Sequence, residues 1–114
     1  MLTFSYNTRS PSLVYTVPKK PKIRALNGDT EVRPGDSTWL TCNSVAGIAY
    51  KFYKDGVALG DFGDEALWRT NLSEADQGVY SCKARNGAGE SAELSDPITL
   101  TLSKWFHSIH SLIN

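Results

Sequence analysis

Residues 21–102 of this 114-residue chain predict an all-β, two-sheet sandwich. Three observations carry that expectation. Turn-forming clusters recur every few residues: Asn27-Gly28-Asp29, Pro34-Gly35-Asp36, Asp55-Gly56, Gly60 with Gly63, Asp76-Gln77-Gly78 and Asn86-Gly87-Ala88-Gly89. Short runs with partial apolar alternation lie between them, the signature of many short strands. Two cysteines, Cys42 and Cys82, each sit mid-run with apolar neighbours two residues away, so each points inward.

The strands can be placed in order. Residues 22–26 form the first. Residues 37–43 form the second, with Leu40 and Cys42 on one face. Residues 49–54 are the third, and residues 57–59 a short edge strand. Residues 65–72 follow. Residues 79–85 carry Tyr80, Cys82 and Ala84 on one face, and residues 90–102 carry Ile98, Leu100 and Leu102 on another. Pro97 cannot donate to a ladder, so it breaks that last run and leaves 98–102 as the better strand. Asn86 to Gly89 reads as a tight turn in which Asn86 and the glycines tolerate positive φ. Residues 1–20, rich in Ser, Thr and Pro, read as a leader or linker, and residues 103–114 as a tail or linker segment. Trp105, Phe106, Ile109, Leu112 and Ile113 recur there at helix-like spacing, over a length that supports only a marginal helix.

With two cysteines at most one intrachain disulfide exists. Inward cysteines on facing sheets can bond where the sheets, about 10 Å apart, close in to the roughly 5–7 Å between Cα atoms that a disulfide spans. At this point the chain resembles the immunoglobulin superfamily. The resemblance rests on Trp39-Leu-Thr-Cys42 and on a full D-x-G-x-Y-x-C match at Asp76, Gly78, Tyr80 and Cys82. It implies an immunoglobulin-like sandwich with Greek-key connections. It also places Tyr80 at the tyrosine corner, its hydroxyl bonded back to the backbone at the turn. Leu72 takes the place of the family's apolar plug below that turn. Phe52 stands where the family usually has a core tryptophan; it fills much of the same space and needs no hydrogen-bond partner. Arg69 stands where an apolar residue is usual, leaving two readings: Trp68 replaces it through a bulge, or Arg69 sits at a rim with its stem buried. Between Gly60 and Trp68 there is no room for the extra edge strands of a variable-type domain. Asn86-Gly-Ala-Gly89 is similar to the final hairpin of C2 and intermediate-type domains. Phe52-Tyr-Lys-Asp-Gly56 and Ser95-Asp-Pro-Ile-Thr-Leu100 are similar to segments of Fc receptor-like leukocyte receptors.

Composition excludes several classes. Lys plus Arg and Asp plus Glu are both 12, for a net charge of +0, so the basic excess typical of nucleic-acid binding is missing. The cluster Lys19, Lys20, Lys22 and Arg24 is the only local concentration, and it reads as a solvated lead-in that could touch an anionic surface. No run approaches the roughly 18 apolar residues of a membrane span. The only histidines, His107 and His110, lie in the tail, so the sandwich has no Ser-His or Cys-His pair. Two imidazoles do not close a zinc site. Asp61, Asp64 and Glu65 read as a solvated turn rather than a calcium site. The expectation is a non-enzymatic domain with no cofactor.

What remains points to recognition. Asn71-Leu-Ser73 is an N-glycosylation sequon. Trp39, Trp68 and Tyr53 alternate outward. So do Lys51, Lys83 and Arg85, which with Tyr53 make an aromatic and basic set on the face of residues 49–54, 79–85 and 90–102. Like charges opposite each other would destabilise that face unless a partner's carboxylate, or Glu90 or Glu93, balances them. The resemblance implies a ligand-recognition domain of a cell-surface immune-type receptor. It would bind a protein or glycoprotein, with immunoglobulin one such class, and abut neighbouring domains of its own chain. The alternative is a structural or adhesive intermediate-type module of a multidomain chain. The expected location is the extracellular side of the cell surface, or secreted. Residues 1–9 lack the pattern of a signal peptide, so the chain reads as a fragment without one.

Overall fold

The computed structural model describes residues 16–103. The expectations for residues 1–15 and 104–114, including His107, His110 and the helix-like tail, lie outside the described residues. Among the described residues nine strands form: β1 Lys22–Ala25, β2 Glu31–Val32, β3 Thr38–Asn43, β4 Ala49–Lys54, β5 Val57–Ala58, β6 Ala66–Arg69, β7 Gly78–Asn86, β8 Gly89–Glu90 and β9 Ile98–Leu102. Short 3₁₀ turns occupy Leu26–Gly28 and Glu74–Asp76.

The strands make two sheets. The smaller has the order β1-β3-β6; the larger runs β2-β9-β7-β4-β5, with β8 also paired to β7. Pairing is antiparallel except between β2 and β9, which run parallel. The all-β, two-sheet immunoglobulin-like sandwich is therefore present, with mixed topology. Strand β2 has no counterpart in the sequence reading, because two residues are too few for alternation to register.

Period-two alternation builds the core between the sheets. The small sheet turns Ile23, Ala25, Leu40 and Cys42 inward. The large sheet answers with Tyr50, Phe52, Tyr80, Cys82, Ala84 and Leu100. Full burial of each large apolar side chain stabilises by roughly 1.5–3 kcal/mol. Cys42 and Cys82 are bonded across the sheets at a Cα separation of 6.2 Å. Phe52 lies in register with Cys82 and is buried, as its place in the family pattern implies.

Several boundaries differ from expectation, each for a local reason. The run 65–72 is strand only over Ala66–Arg69, since Asn71 adopts φ 50° and turns the chain. Leu72 is buried, yet it sits at one end of the sandwich apart from the central cluster. In the turn after β7, Gly89 has positive φ but Asn86 does not. The Asn86 side chain instead donates to the carbonyls of Thr16 and Ala46 and accepts from the Ala88 N–H. The run 90–102 divides into β8 and β9, with Pro97 in the gap.

Candidate functional site

The D-x-G-x-Y-x-C segment is an anchoring device. The Tyr80 hydroxyl donates to the Asp76 carbonyl at 2.6 Å, which makes the expected corner. The Asp76 carboxylate accepts from the Ser73 N–H at 2.8 Å and closes a capping box on the 3₁₀ turn. Arg69 resolves to the rim reading. It pairs with Thr38 in register, is half-buried, and brings its Nε to 3.9 Å from Asp76. Burial raises the Tyr80 phenol above its ordinary value, and the adjacent Arg69 guanidinium opposes that rise.

Gly78 has a separate reason to be glycine. A Cβ there would stand 2.9 Å from an Asp55 carboxylate oxygen. That carboxylate accepts from the Val79 N–H at 2.9 Å, while the Asp55 N–H donates to the Val79 carbonyl at 2.7 Å. The Val79 bond, then Lys54, holds the Asp55 carboxyl below its usual value. Asp55 and Gly56 both have positive φ, the backbone that a two-residue Asp-Gly hairpin requires between β4 and β5.

The outer face of the large sheet carries the aromatic and basic set. Lys51 lies directly opposite Lys83, and Ala49 opposite Arg85. The Lys83 ammonium is 3.4 Å from Glu90, so the balancing carboxylate comes from within the domain. Glu93 does not share that role; it is 3.7 Å from Lys20 instead. Phe62 also belongs to this face, and sequence reasoning missed it. The Arg85 guanidinium lies 4.3 Å from the Phe62 ring centroid and the Lys51 ammonium 5.5 Å. Lys51 is also 5.9 Å from the Tyr53 ring. Phe62 lies in an irregular loop, where alternation cannot orient a side chain. The isolated bridge between Tyr50 and Gly63 is what brings it over β4. Cation–π contacts of this kind contribute about 0.5–1 kcal/mol each when exposed.

Tyr53, Lys51, Lys83, Arg85 and Phe62 thus share one continuous surface. On the opposite sheet Trp39 and Trp68 pair in register, edge to face, with centroids 4.3 Å apart. Asn71 is exposed. Asp61, Asp64 and Glu65 gather no metal site: among the described residues no three His, Cys, Asp or Glu converge. No described helix is long and apolar enough to cross a membrane.

A family profile described as immunoglobulin domain matches residues 20–102. The chain belongs to that family. Domains of this family are used by cell-surface receptors and adhesion proteins. A human protein named probable oxidoreductase PXDNL is 33% identical over 82 residues, which span 63% of this chain and 6% of that relative. The chain therefore matches a small part of a much longer protein. Among solved structures, the second Ig-C2 domain of human Fc-receptor like A superposes with a TM-score of 0.64 at 23% identity. The match covers 74% of this chain and 96% of that one. The N-terminal four immunoglobulin domains of Dscam1 isoform 4.44 give a TM-score of 0.57 at 22% identity, over 77% of this chain and 22% of that one. Both structural likenesses establish the fold.

Proposed function

We propose that this immunoglobulin domain is a ligand-recognition module at the extracellular face of a cell-surface receptor. It would bind a protein or glycoprotein through the outer face of β4, β7 and β9. One observation carries the reading: Phe62 is bracketed by the cations of Lys51 and Arg85 beside Tyr53, an aromatic surface with fixed charge around it. Aromatic residues and arginine dominate binding hot spots. Glu90 satisfies Lys83, while Lys51 and Arg85 have no carboxylate partner among the described residues, so an acidic ligand group would add attraction. The immune-type assignment and immunoglobulin as a ligand class rest on the resemblance to Fc receptor-like domains. Asn71, exposed within its sequon, is proposed as a glycan carrier, which mass spectrometry after expression through a secretory route would reveal.

The test is double charge reversal, Lys51→Glu with Arg85→Glu, with folding checked by circular dichroism. Binding of the soluble domain to immunoglobulin G and to leukocyte surfaces would be measured. The reversal should weaken whichever interaction is present by at least about tenfold, the scale of a hot-spot pair. Unchanged affinity and salt dependence would remove this face from consideration.

A second reading, an adhesive or structural module in a multidomain chain, has its own support. The matched relative is spanned only to 6% of its length, and the Dscam1 structure holds four such domains. The same double variant separates the readings, because a spacer module would show no ligand to lose.

A further inference from the structure

We propose that the outer face of the small sheet binds an acidic, sulfated polysaccharide. This face is opposite the one above, and the proposal stands independently of it. Two observations meet there. The first is aromatic: Trp68 is 58% exposed, and Trp39 packs against it edge to face. An exposed indole face is apolar and carries the negative side of the ring quadrupole. It complements the C–H face of a pyranose ring.

The second observation is a groove of about 460 Å³ on the β1 side of the same sheet. It is lined by Lys20, Lys22, Arg24, Thr41, Asn43 and Ser44, together with Val45. Lys20 is held by Asp96 at 2.8 Å and by Glu93. Lys22 and Arg24 are exposed and form no ion pair among the described residues, although Asp96 lies near enough to sense the charge of Lys22. They stand opposite Asn43 and Thr41 in the β1–β3 register. Each polar neighbour has a side chain able to hydrogen-bond a sugar hydroxyl.

The register joins the two features. Arg24 faces Thr41, Thr41 faces Ala66, and Trp39 faces Trp68 one alternation further along. Arg24 and Trp68 therefore lie two strand spacings and two residues apart, roughly 12 Å. The side chains between them are small, Thr41 and Ala66, which leaves room for a short run of rings. A neutral sugar would not use the cations. A run of Asp and Glu would supply charge for the cations but no flat C–H face to lie on the indole. A single-stranded nucleic acid would use both. The disulfide decides against it: bonds of this kind persist in oxidising, extracytosolic compartments, where sulfated polysaccharides are the abundant linear polyanions.

The probe is heparin, with neutral dextran and single-stranded DNA as comparisons, against the full chain at several salt concentrations. The wild type should bind heparin and not dextran, with affinity falling as salt rises. Lys22→Ala with Arg24→Ala should reduce the slope of log affinity against log salt by about two, one for each lost ionic contact. Trp68→Ala should weaken binding severalfold while leaving that slope unchanged. Should Trp68→Ala fail to fold, quenching of wild-type tryptophan fluorescence by heparin reports the same contact. Absence of heparin binding by the folded wild type overturns the proposal. So does an unchanged slope in the double variant, or DNA binding as tight as heparin binding.

Discussion

Strand β7 is paired along both edges, and the two edges are bonded in different ways. On the β4 side, six consecutive pairs run from Ala49–Arg85 to Lys54–Tyr80 without interruption. On the other side the ladder opens with Arg85–Glu90 in β8 and resumes at Tyr80–Ile98 in β9. Between those two pairs β7 advances five residues while its neighbour advances eight, so three extra residues must be accommodated. Two buried serines repair the gap. The Ser91 hydroxyl accepts from the Ala84 N–H at 3.1 Å and donates to the Glu93 carbonyl. The Ser95 hydroxyl accepts from the Cys82 N–H at 2.9 Å, while the Ser95 N–H donates to the Cys82 carbonyl at 2.8 Å. Over its six pairs the β4 flank is a continuous backbone ladder; the other needs side chains to satisfy buried donors that a sheet would normally satisfy.

The disulfide anchors β7 for both flanks, so reduction should have the largest effect. Opening it should cost roughly 4 kcal/mol for a loop of this length. Denaturant titration with both thiols confirmed reduced would show this, and an unchanged midpoint would refute it. On the regular flank, Phe52→Ala should cost at least about 3 kcal/mol, since it empties a packed site opposite Cys82. A loss below about 1 kcal/mol would mean that the flank does not depend on that ring.

On the repaired flank, Ser95→Ala should cost about 1–3 kcal/mol by leaving the Cys82 N–H buried and unpaired. Hydrogen exchange sharpens the contrast: the Cys82 and Ala84 amides should lose protection in Ser95→Ala and Ser91→Ala respectively. If those amides exchange as slowly as in the wild type, the serines are not the repair. The smallest effect concerns Asp55, whose carboxylate ties the β4–β5 turn to Val79. Its folded pKa is lowered, so its stabilisation is present above the ordinary carboxylate range and lost as pH falls through that folded value. The melting temperatures of wild type and Asp55→Asn should therefore converge under acid. A gap that persists below the folded pKa would assign the effect to the turn rather than to charge.

The two flanks were not equally legible. The alternation Tyr50, Phe52 against Tyr80, Cys82, Ala84 is plain in the sequence, and that flank formed as read. Pro97 announced a break in the other flank, but not its width or its repair. Serine is usually exposed, and nothing local marks Ser91 and Ser95 as buried at 2% and 5%. The candidate binding face divides similarly. Lys51, Tyr53, Lys83 and Arg85 follow from alternation, and the balancing Glu90 was one of two carboxylates weighed. Phe62 comes from a loop and could not be placed.

The sequence by itself determined the sandwich, the inward cysteines, the tyrosine corner with Asp76 and Tyr80, and Phe52 as the core aromatic. The sandwich and the inward cysteines follow from period-two patterning; the tyrosine corner and the place of Phe52 are what the resemblance to the immunoglobulin family implies. Tertiary structure alone decided that β2 runs parallel to β9, that Arg69 reaches Asp76, that Phe62 lies under Arg85 and that Ser95 serves Cys82. Each of these joins residues from different elements, and their separation in space is set by how the two sheets pack, a quantity no local pattern encodes.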